Sequence, residues 1–204
     1  ATLKNSTNAT VQSNEIGTAY IVKDSVTVTN LASITSAADN NFNSVAIGTA
    51  NSNANLALTG LADGTYKVYS VDTAGNLSAV STNSIIVDTT APTSLALSTV
   101  AITSSITGTN SGIATLSATD ANSISYALAT GNGTNDVNNS SFNIVGTSLR
   151  TNSALTAGTY NIYVSVTDSA GNISYQTFSI TVSSGPTVTA VTGTYTDTTA
   201  NDTF

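Results

Sequence analysis

The residues able to do chemistry are few, and nearly all of them are carboxylates. The chain carries ten Asp and one Glu, Glu15, against three Lys and one Arg, and it has no His, Cys, Met or Trp. That set excludes a Ser-His-Asp or Cys-His nucleophile, a zinc site of the usual ligands, and thiol redox chemistry. Two carboxylates could in principle hydrolyse a glycoside, but Glu15 stands alone and the Asp are dispersed. Too few roles of an active site have a candidate, so the chain reads as a non-enzyme. Scattered Asp can do two other things. They can support turns through their own backbone, or they can gather around a hard cation such as Ca²⁺, which takes six to eight oxygens.

Which of these happens depends on the elements that position them. Thr, Ser and Asn supply 90 of the 204 residues, so the surface stays wet with only 7 % of the chain charged. Apolar residues make up 40 %, enough for a core, and the low-hydrophobicity, high-charge signature of disorder is not met. A net charge of −7 disfavours nucleic acid and anionic membrane surfaces as partners. No stretch approaches the ~18 apolar residues of a membrane span, so no membrane insertion is expected. The opening ATLKNSTNAT lacks the apolar segment of a signal peptide, and the chain is expected to be processed or a piece of something longer. Asn-x-Ser/Thr occurs eight times, which is what so much Asn, Ser and Thr produces without selection, so that motif carries no weight.

Internal repetition is the strongest signal. Residues 61–92 read LADGTYKVYSVDTAGNLSAVSTNSIIVDTTAP and residues 155–186 read LTAGTYNIYVSVTDSAGNISYQTFSITVSSGP. Gly64 to Pro92 and Gly158 to Pro186 are each 28 residues apart, and the two units are offset by 94. The second has two more residues before its Asp and two fewer after its Asn, a change that preserves strand alternation. Each unit predicts a hairpin about Ala-Gly-Asn, with returning strands at Ser84 to Val87 and Thr177 to Val182. Further strands are expected at Thr18 to Val22, Ser25 to Val28, Ile113 to Ala118, Ser123 to Leu128 and Phe142 to Val145. The spacing indicates an all-β protein of two tandem immunoglobulin-like Greek-key sandwiches, residues 1–91 and 92–185. Residues 186–204, PTVTAVTGTYTDTTANDTF, form a short β tail or the start of a third repeat.

Tyr66 and Tyr160 each stand two residues before a buried position, Val68 and Ile162, of the strand that follows Gly-Thr. That spacing fits the corner tyrosine of an immunoglobulin-type sandwich, with its hydroxyl tying the chain just upstream. A merely half-buried strand tyrosine is the alternative, and either role is structural. Tyr69 and Tyr163 belong to the same hairpins, and the sequence offers no aromatic platform for a sugar.

VDTTAPT at 87–93 together with DTAGN at 72–76 resembles the joints and turns of bacterial immunoglobulin-like repeats in large surface adhesins and biofilm proteins. ATLSATDANS at 114–123, FNIVGTSLRT and the ALTAGTY to TDSAGN hairpin make the second unit similar to a bacterial cadherin-like repeat. It has Leu155-Thr156-Ala157-Gly158 where animal cadherins carry Leu-Asp-Arg-Glu. Residues 186–204 resemble the opening of a VCBS-type repeat. The resemblance implies a calcium-associated stalk or fibre segment of an extracellular, cell-surface protein, partnered by neighbouring repeats or subunits. A sugar-binding module that meets cell-surface or matrix glycans is the reading from another class, and a self-assembling filament or layer subunit is a structural variant.

In such a sandwich the turn after the Tyr strand sits at the end facing the preceding domain. Asp168 in that turn and Asp120 after ATLSAT are then expected to face Asp88 in the joint, with Asp63 hanging from the bottom of the first domain. Ca²⁺ would clamp these four acids, with Asn122 and Asn172 as further oxygen donors. Turn support alone is the competing account. The second joint, Ser183-Ser184-Gly185-Pro186, has no carboxylate. The tail either is cut short or adds as a strand to a neighbouring chain.

Overall fold

Alternation at period two places Ile162, Val164, Val166 and Asp168 on the buried side of one eleven-residue strand, Gly158–Asp168. The protein is assembled from such strands. The computed structural model describes residues 1–186; the tail expected at 186–204 falls outside them after Pro186.

The first sandwich uses seven strands: β1 (Thr2–Leu3), β2 (Asn8–Val11), β3 (Gly17–Lys23), β4 (Phe42–Ile47), β5 (Ala54–Ala57), β6 (Gly64–Asp72) and β7 (Ile85–Val87). They form a five-stranded sheet in the order β1-β7-β6-β3-β4, faced by the pair β2-β5. Ala9 and Val11 from β2, Ile21 from β3, Leu56 from β5 and Tyr66 from β6 meet in the core between the two layers. Each fully buried Ile or Leu side chain there contributes about 1.5–3 kcal/mol.

The second sandwich contains β8 (Thr93–Leu97), β9 (Ala101–Thr103), β10 (Gly112–Thr119), β11 (Ile124–Leu128), β12 (Phe142–Val145), β13 (Ser148–Thr151), β14 (Gly158–Asp168) and β15 (Ile173–Ser183). One layer is β12-β13-β10-β8 and the other β11-β14-β15-β9. Leu116, Leu149, Ile162, Val164 and Ile180 fill the space between. The opening strand is split. β8 pairs antiparallel with β10 in one layer, and β9 crosses to pair parallel with β15 in the other.

Both Ala-Gly-Asn turns form as their residue types require. Gly75 and Gly171 sit at φ 90° and 91°, a region costly for other residues. The Oδ1 of Asp72 accepts the N–H groups of Ala74 and Asn76 at 2.9 and 2.8 Å, and that of Asp168 accepts those of Gly171 and Asn172 at 2.7 and 2.8 Å. The second hairpin is regular over ten residue pairs. The first is not: after Leu77 the chain is held by Ser78 N–H on the Ser70 carbonyl and Ser81 N–H on that of Val68, and a strand resumes only at Ile85.

One expected strand is absent. Residues 25–28 form turn and loop, and the chain then enters a short helix, α1 (Leu31–Thr35). Asn30 is the reason: its Oδ1 accepts the Ser33 N–H at 2.9 Å while Ser33 Oγ accepts the Asn30 N–H at 3.2 Å, a reciprocal cap that starts a helix. Ile34 is the residue this turn buries.

Candidate functional site

Tyr66 is fully buried at the start of β6, and its hydroxyl donates to the Ala62 carbonyl four residues upstream at 2.7 Å. Tyr160 repeats the relation on β14, its hydroxyl 3.1 Å from the Thr156 carbonyl and its ring edge-on to Phe142. These bonds fasten the loop entering each strand, and β6 and β14 in turn carry the two Asp-containing turns.

Residues 88–92 run between the sandwiches, and the acids collect around them. Asp88 follows β7, Asp120 follows β10, and Asp168 ends β14. Each offers a carboxylate oxygen, and the three oxygens lie within 4.8 Å of one another. Asp88 and Asp168 are only 7 % and 5 % exposed. Strand parity explains Asp168, because it occupies the next inward position after Val164 and Val166.

Asn122 and Asn172 join the cluster in a different role from the one expected. Their amide nitrogens, not their oxygens, face the acids. Asn122 Nδ2 donates to Asp88 Oδ2 at 2.6 Å, and Asn172 Nδ2 donates to Asp168 Oδ2 at 2.8 Å and reaches the carbonyls of Asp88 and Thr90 at 3.1 and 3.3 Å. Carboxylates accept only, so an adjacent amide presents its donors.

Asp63 stands apart from the three converging acids. Its Oδ1 accepts the Thr89 N–H and hydroxyl at 2.9 and 2.7 Å, and its Oδ2 accepts the Thr90 hydroxyl at 2.9 Å. It braces the joint from the first domain's side. The signal for this was present in Thr89-Thr90, two hydroxyls beside an acid-bearing turn. Lys4 was not foreseen: its side chain lies so close to the second domain's turn that a Cβ on Gly171 would stand 3.7 Å from Lys4 Cε. Ser174 also donates its hydroxyl to the Pro92 carbonyl. A cleft of about 630 Å³ opens beside the joint, with Asp63, Asp88, Asp120 and Asn122 in its wall.

Electrostatics divides the acids. Burial and the neighbouring charges of Asp168, Asp63 and Asp120 push the Asp88 carboxyl above the ordinary range, although the Thr90 N–H opposes them. Burial also acts to raise Asp168, but bonds from Asn172 and from the Gly171 N–H outweigh it and leave that carboxyl lowered. For Asp63 the same burial effect is outweighed by the Thr89 and Thr90 bonds, with a smaller contribution from Lys23, and the carboxyl is again lowered.

An aromatic pair lies elsewhere. Tyr163 and Tyr175 stack across β14 and β15 with centroids 5.3 Å apart and planes 12° from parallel, and Tyr175 is half exposed. Sequence reasoning assigns Tyr163 to the hairpin alone, because a diagonal cross-strand pair is visible only once register is known.

No family model matches the sequence, and no curated protein matches it. Among solved structures, the chain is similar to a Drosophila N-cadherin fragment of three extracellular domains (17 % identity, 91 % of this chain and 63 % of that one, TM-score 0.37). It is similar to the fibronectin(III)-like modules of Clostridium thermocellum CbhA (15 % identity, 90 % and 89 %, TM-score 0.37). It is also similar to the human desmocollin-1 ectodomain (14 % identity, 94 % and 36 %, TM-score 0.33). The chain thus spans less than two thirds of the N-cadherin fragment and about a third of the desmocollin ectodomain.

Proposed function

We propose that this chain is a non-catalytic structural segment, a stalk or fibre element of an extracellular bacterial surface protein serving adhesion, biofilm or surface coating. Residues 1–91 and 92–185 are its two repeat units, and its partners are neighbouring repeats or subunits. The observation that carries the reading is the joint. Five residues separate the sandwiches, and side chains from both are bonded to them: Asp63 from the first, Asn122, Asn172 and Ser174 from the second. A laced joint transmits load and direction, which is what a stalk needs and an isolated binding module does not.

Asp88, Asp120 and Asp168 are proposed as Ca²⁺ ligands at this joint. The donor set fits: two oxygens bound at 2.3–2.6 Å to one ion are at most about 5 Å apart, and these three meet that limit. Asn122 and Asn172 can offer oxygen in place of nitrogen by a flip of the amide. Bound there, the ion would supply the positive charge that the crowded carboxylates lack, with Asp63 left to its threonine partners.

Titration calorimetry of the full chain with CaCl₂, alongside melts in Ca²⁺ and in EDTA, tests the site. Binding heat and a higher melting temperature in Ca²⁺ are expected, since a ligand of the folded state stabilises it by mass action. Equal melts and no heat would leave turn support as the acids' sole role. The Tyr163–Tyr175 surface is what favours the glycan-binding alternative, and selective submillimolar binding on a glycan array would put that alternative first.

A further inference from the structure

Asn132 is the one Asn in the chain that is followed by Gly. Such a pair can react with itself. The Gly nitrogen attacks the side-chain carbonyl carbon of Asn, and its proton passes through water to the amide nitrogen, which leaves as ammonia. Water then opens the cyclic imide at either carbonyl, giving aspartate or an isoaspartate whose main chain runs through the former side chain. Gly permits the approach because it has no Cβ. Asn132 and Gly133 are both exposed, in the loop between β11 and β12, so water and base reach them.

The loop ties down both reacting groups. Gly133 N–H donates to Asp136 Oδ1 at 2.7 Å, and Gly131 N–H donates to Asp136 Oδ2 at 2.7 Å. The Gly131 N–H foremost, with that of Gly133, holds the Asp136 carboxyl below the ordinary range against the opposing effect of burial, so it is ionised at neutral pH. Removing the Gly133 proton would set a nitrogen anion against that carboxylate, and the two charges repel. The amide is held as well: Asn132 Oδ1 accepts the N–H groups of Thr134 and Asn135 at 3.0 and 3.1 Å, and swinging toward Gly133 would give up both bonds. We propose that Asp136 is a chemical shield, which keeps Asn132-Gly133 from cyclising and thereby preserves one edge of the second sandwich. Strand β11 stops at Leu128, and beyond it β14 finds its partners in this loop. Ala129 and Asn138 donate their N–H groups to the Tyr163 and Asn161 carbonyls at 2.8 and 3.1 Å, while the side-chain oxygens of Asn138 and Asn139 accept the Asn161 and Tyr163 N–H groups at 2.8 and 3.0 Å. An isoaspartate in place of Asn132 would lengthen the main chain between Ala129 and Asn138 and draw these partners off β14. The inference goes beyond the stalk reading and does not rest on it.

Peptide mapping by mass spectrometry tests this on the full chain incubated at mildly alkaline pH, folded in buffer and unfolded in guanidinium chloride. Unfolded, Asn132 should be converted to the acid faster than any other Asn. Folded, it should be retained, a comparison that needs no variant. Asp136→Ala should speed conversion of Asn132 in the folded chain by about tenfold or more, as expected for release of a hydrogen bond to a charged group. Asp136→Asn keeps an acceptor oxygen without the charge and should fall between the two. Asn135 and Asn139 should stay intact in both variants, because the shield acts on the Gly133 nitrogen, and circular dichroism taken before incubation should be unchanged. Conversion of Asn132 in the folded chain as fast as in the unfolded one, or a folded Asp136→Ala chain that retains Asn132 as well as the unsubstituted protein does, overturns the inference.

Discussion

Asp120 is the acid at the joint whose charge can be removed with least disturbance, because its Oδ1 takes the Asn122 N–H at 2.7 Å and an Asn oxygen can do the same. Asp120→Asn should leave the melting temperature in EDTA unchanged or raise it, since it relieves repulsion on Asp88. In Ca²⁺ it should lower the melting temperature, since a ligand is lost. A parallel loss in both buffers would show that Asp120 acts through its turn alone. The same acids give a signed pH dependence. Asp63 and Asp168 have lowered carboxyls, so the stability they contribute is present above the ordinary Asp value of about 3.9 and is lost as pH falls below it. Asp88 is raised, so its contribution is present below that value and is lost as pH rises through the raised one. In EDTA the melting temperature should therefore fall as the pH drops below about 4, and should also fall as the pH rises above that value until the Asp88 carboxyl is ionised. Asp63→Asn should flatten the acid limb, and a profile that only rises to neutrality would contradict the strain assigned to Asp88.

The strand and turn elements were legible to different depths, for physical reasons. Asp72 and Asp168 announce their turns because the bonds they make are local, reaching N–H groups two to four residues on. Tyr66 and Tyr160 are legible for the same reason, each bonding four residues back. By contrast, β2 and β5 read Asn-Ala-Thr-Val and Ala-Asn-Leu-Ala, short runs that do not stand out in a chain so rich in Ala, Thr and Asn. The Asn30 to Ser33 cap was missed because Ser, unlike Glu or Gln, is a weak marker at its third position. The joint was half legible. Strand parity predicts that Asp168 turns inward, but Lys4 against Gly171 and the donor role of the two amides depend on how distant segments meet. The local bonds also set a test of the corners. Tyr66→Phe takes from a fully buried ring the hydroxyl that donates to the Ala62 carbonyl and should cost about 1–2 kcal/mol in urea unfolding, whereas Tyr160→Phe, at a partly exposed corner, should cost about half as much or less. Equal losses would deny that burial sets the difference.

Across the whole molecule, two cores with separate residue sets share one short joint, so the question is how far they unfold together. Gly17 gives a way to strike only the first. A Cβ built there would stand 2.1 Å from the Val71 carbonyl oxygen, main chain that β3 and β6 cannot move apart without breaking their ladder. Gly17→Ala should therefore destabilise the first sandwich by about 3 kcal/mol or more. If the sandwiches were independent, calorimetry would show one shifted transition and one untouched. The joint argues for partial coupling. Asn172, on the second domain's turn, bonds the Asp88 and Thr90 carbonyls, and Asp63, on the first domain, bonds Thr89 and Thr90, so each sandwich holds the linker that the other also holds. In Gly17→Ala the second transition should thus fall by a few degrees, and Ca²⁺ should enlarge that fall by tying Asp88 more tightly to Asp120 and Asp168. Adding Asn172→Ala should reduce the shift in EDTA, because that amide makes two of the second domain's bonds to the linker backbone while Ser174 keeps its bond to the Pro92 carbonyl. A second transition insensitive to Gly17→Ala, in Ca²⁺ and in EDTA alike, would mean that the joint's hydrogen bonds orient the domains without coupling their stability.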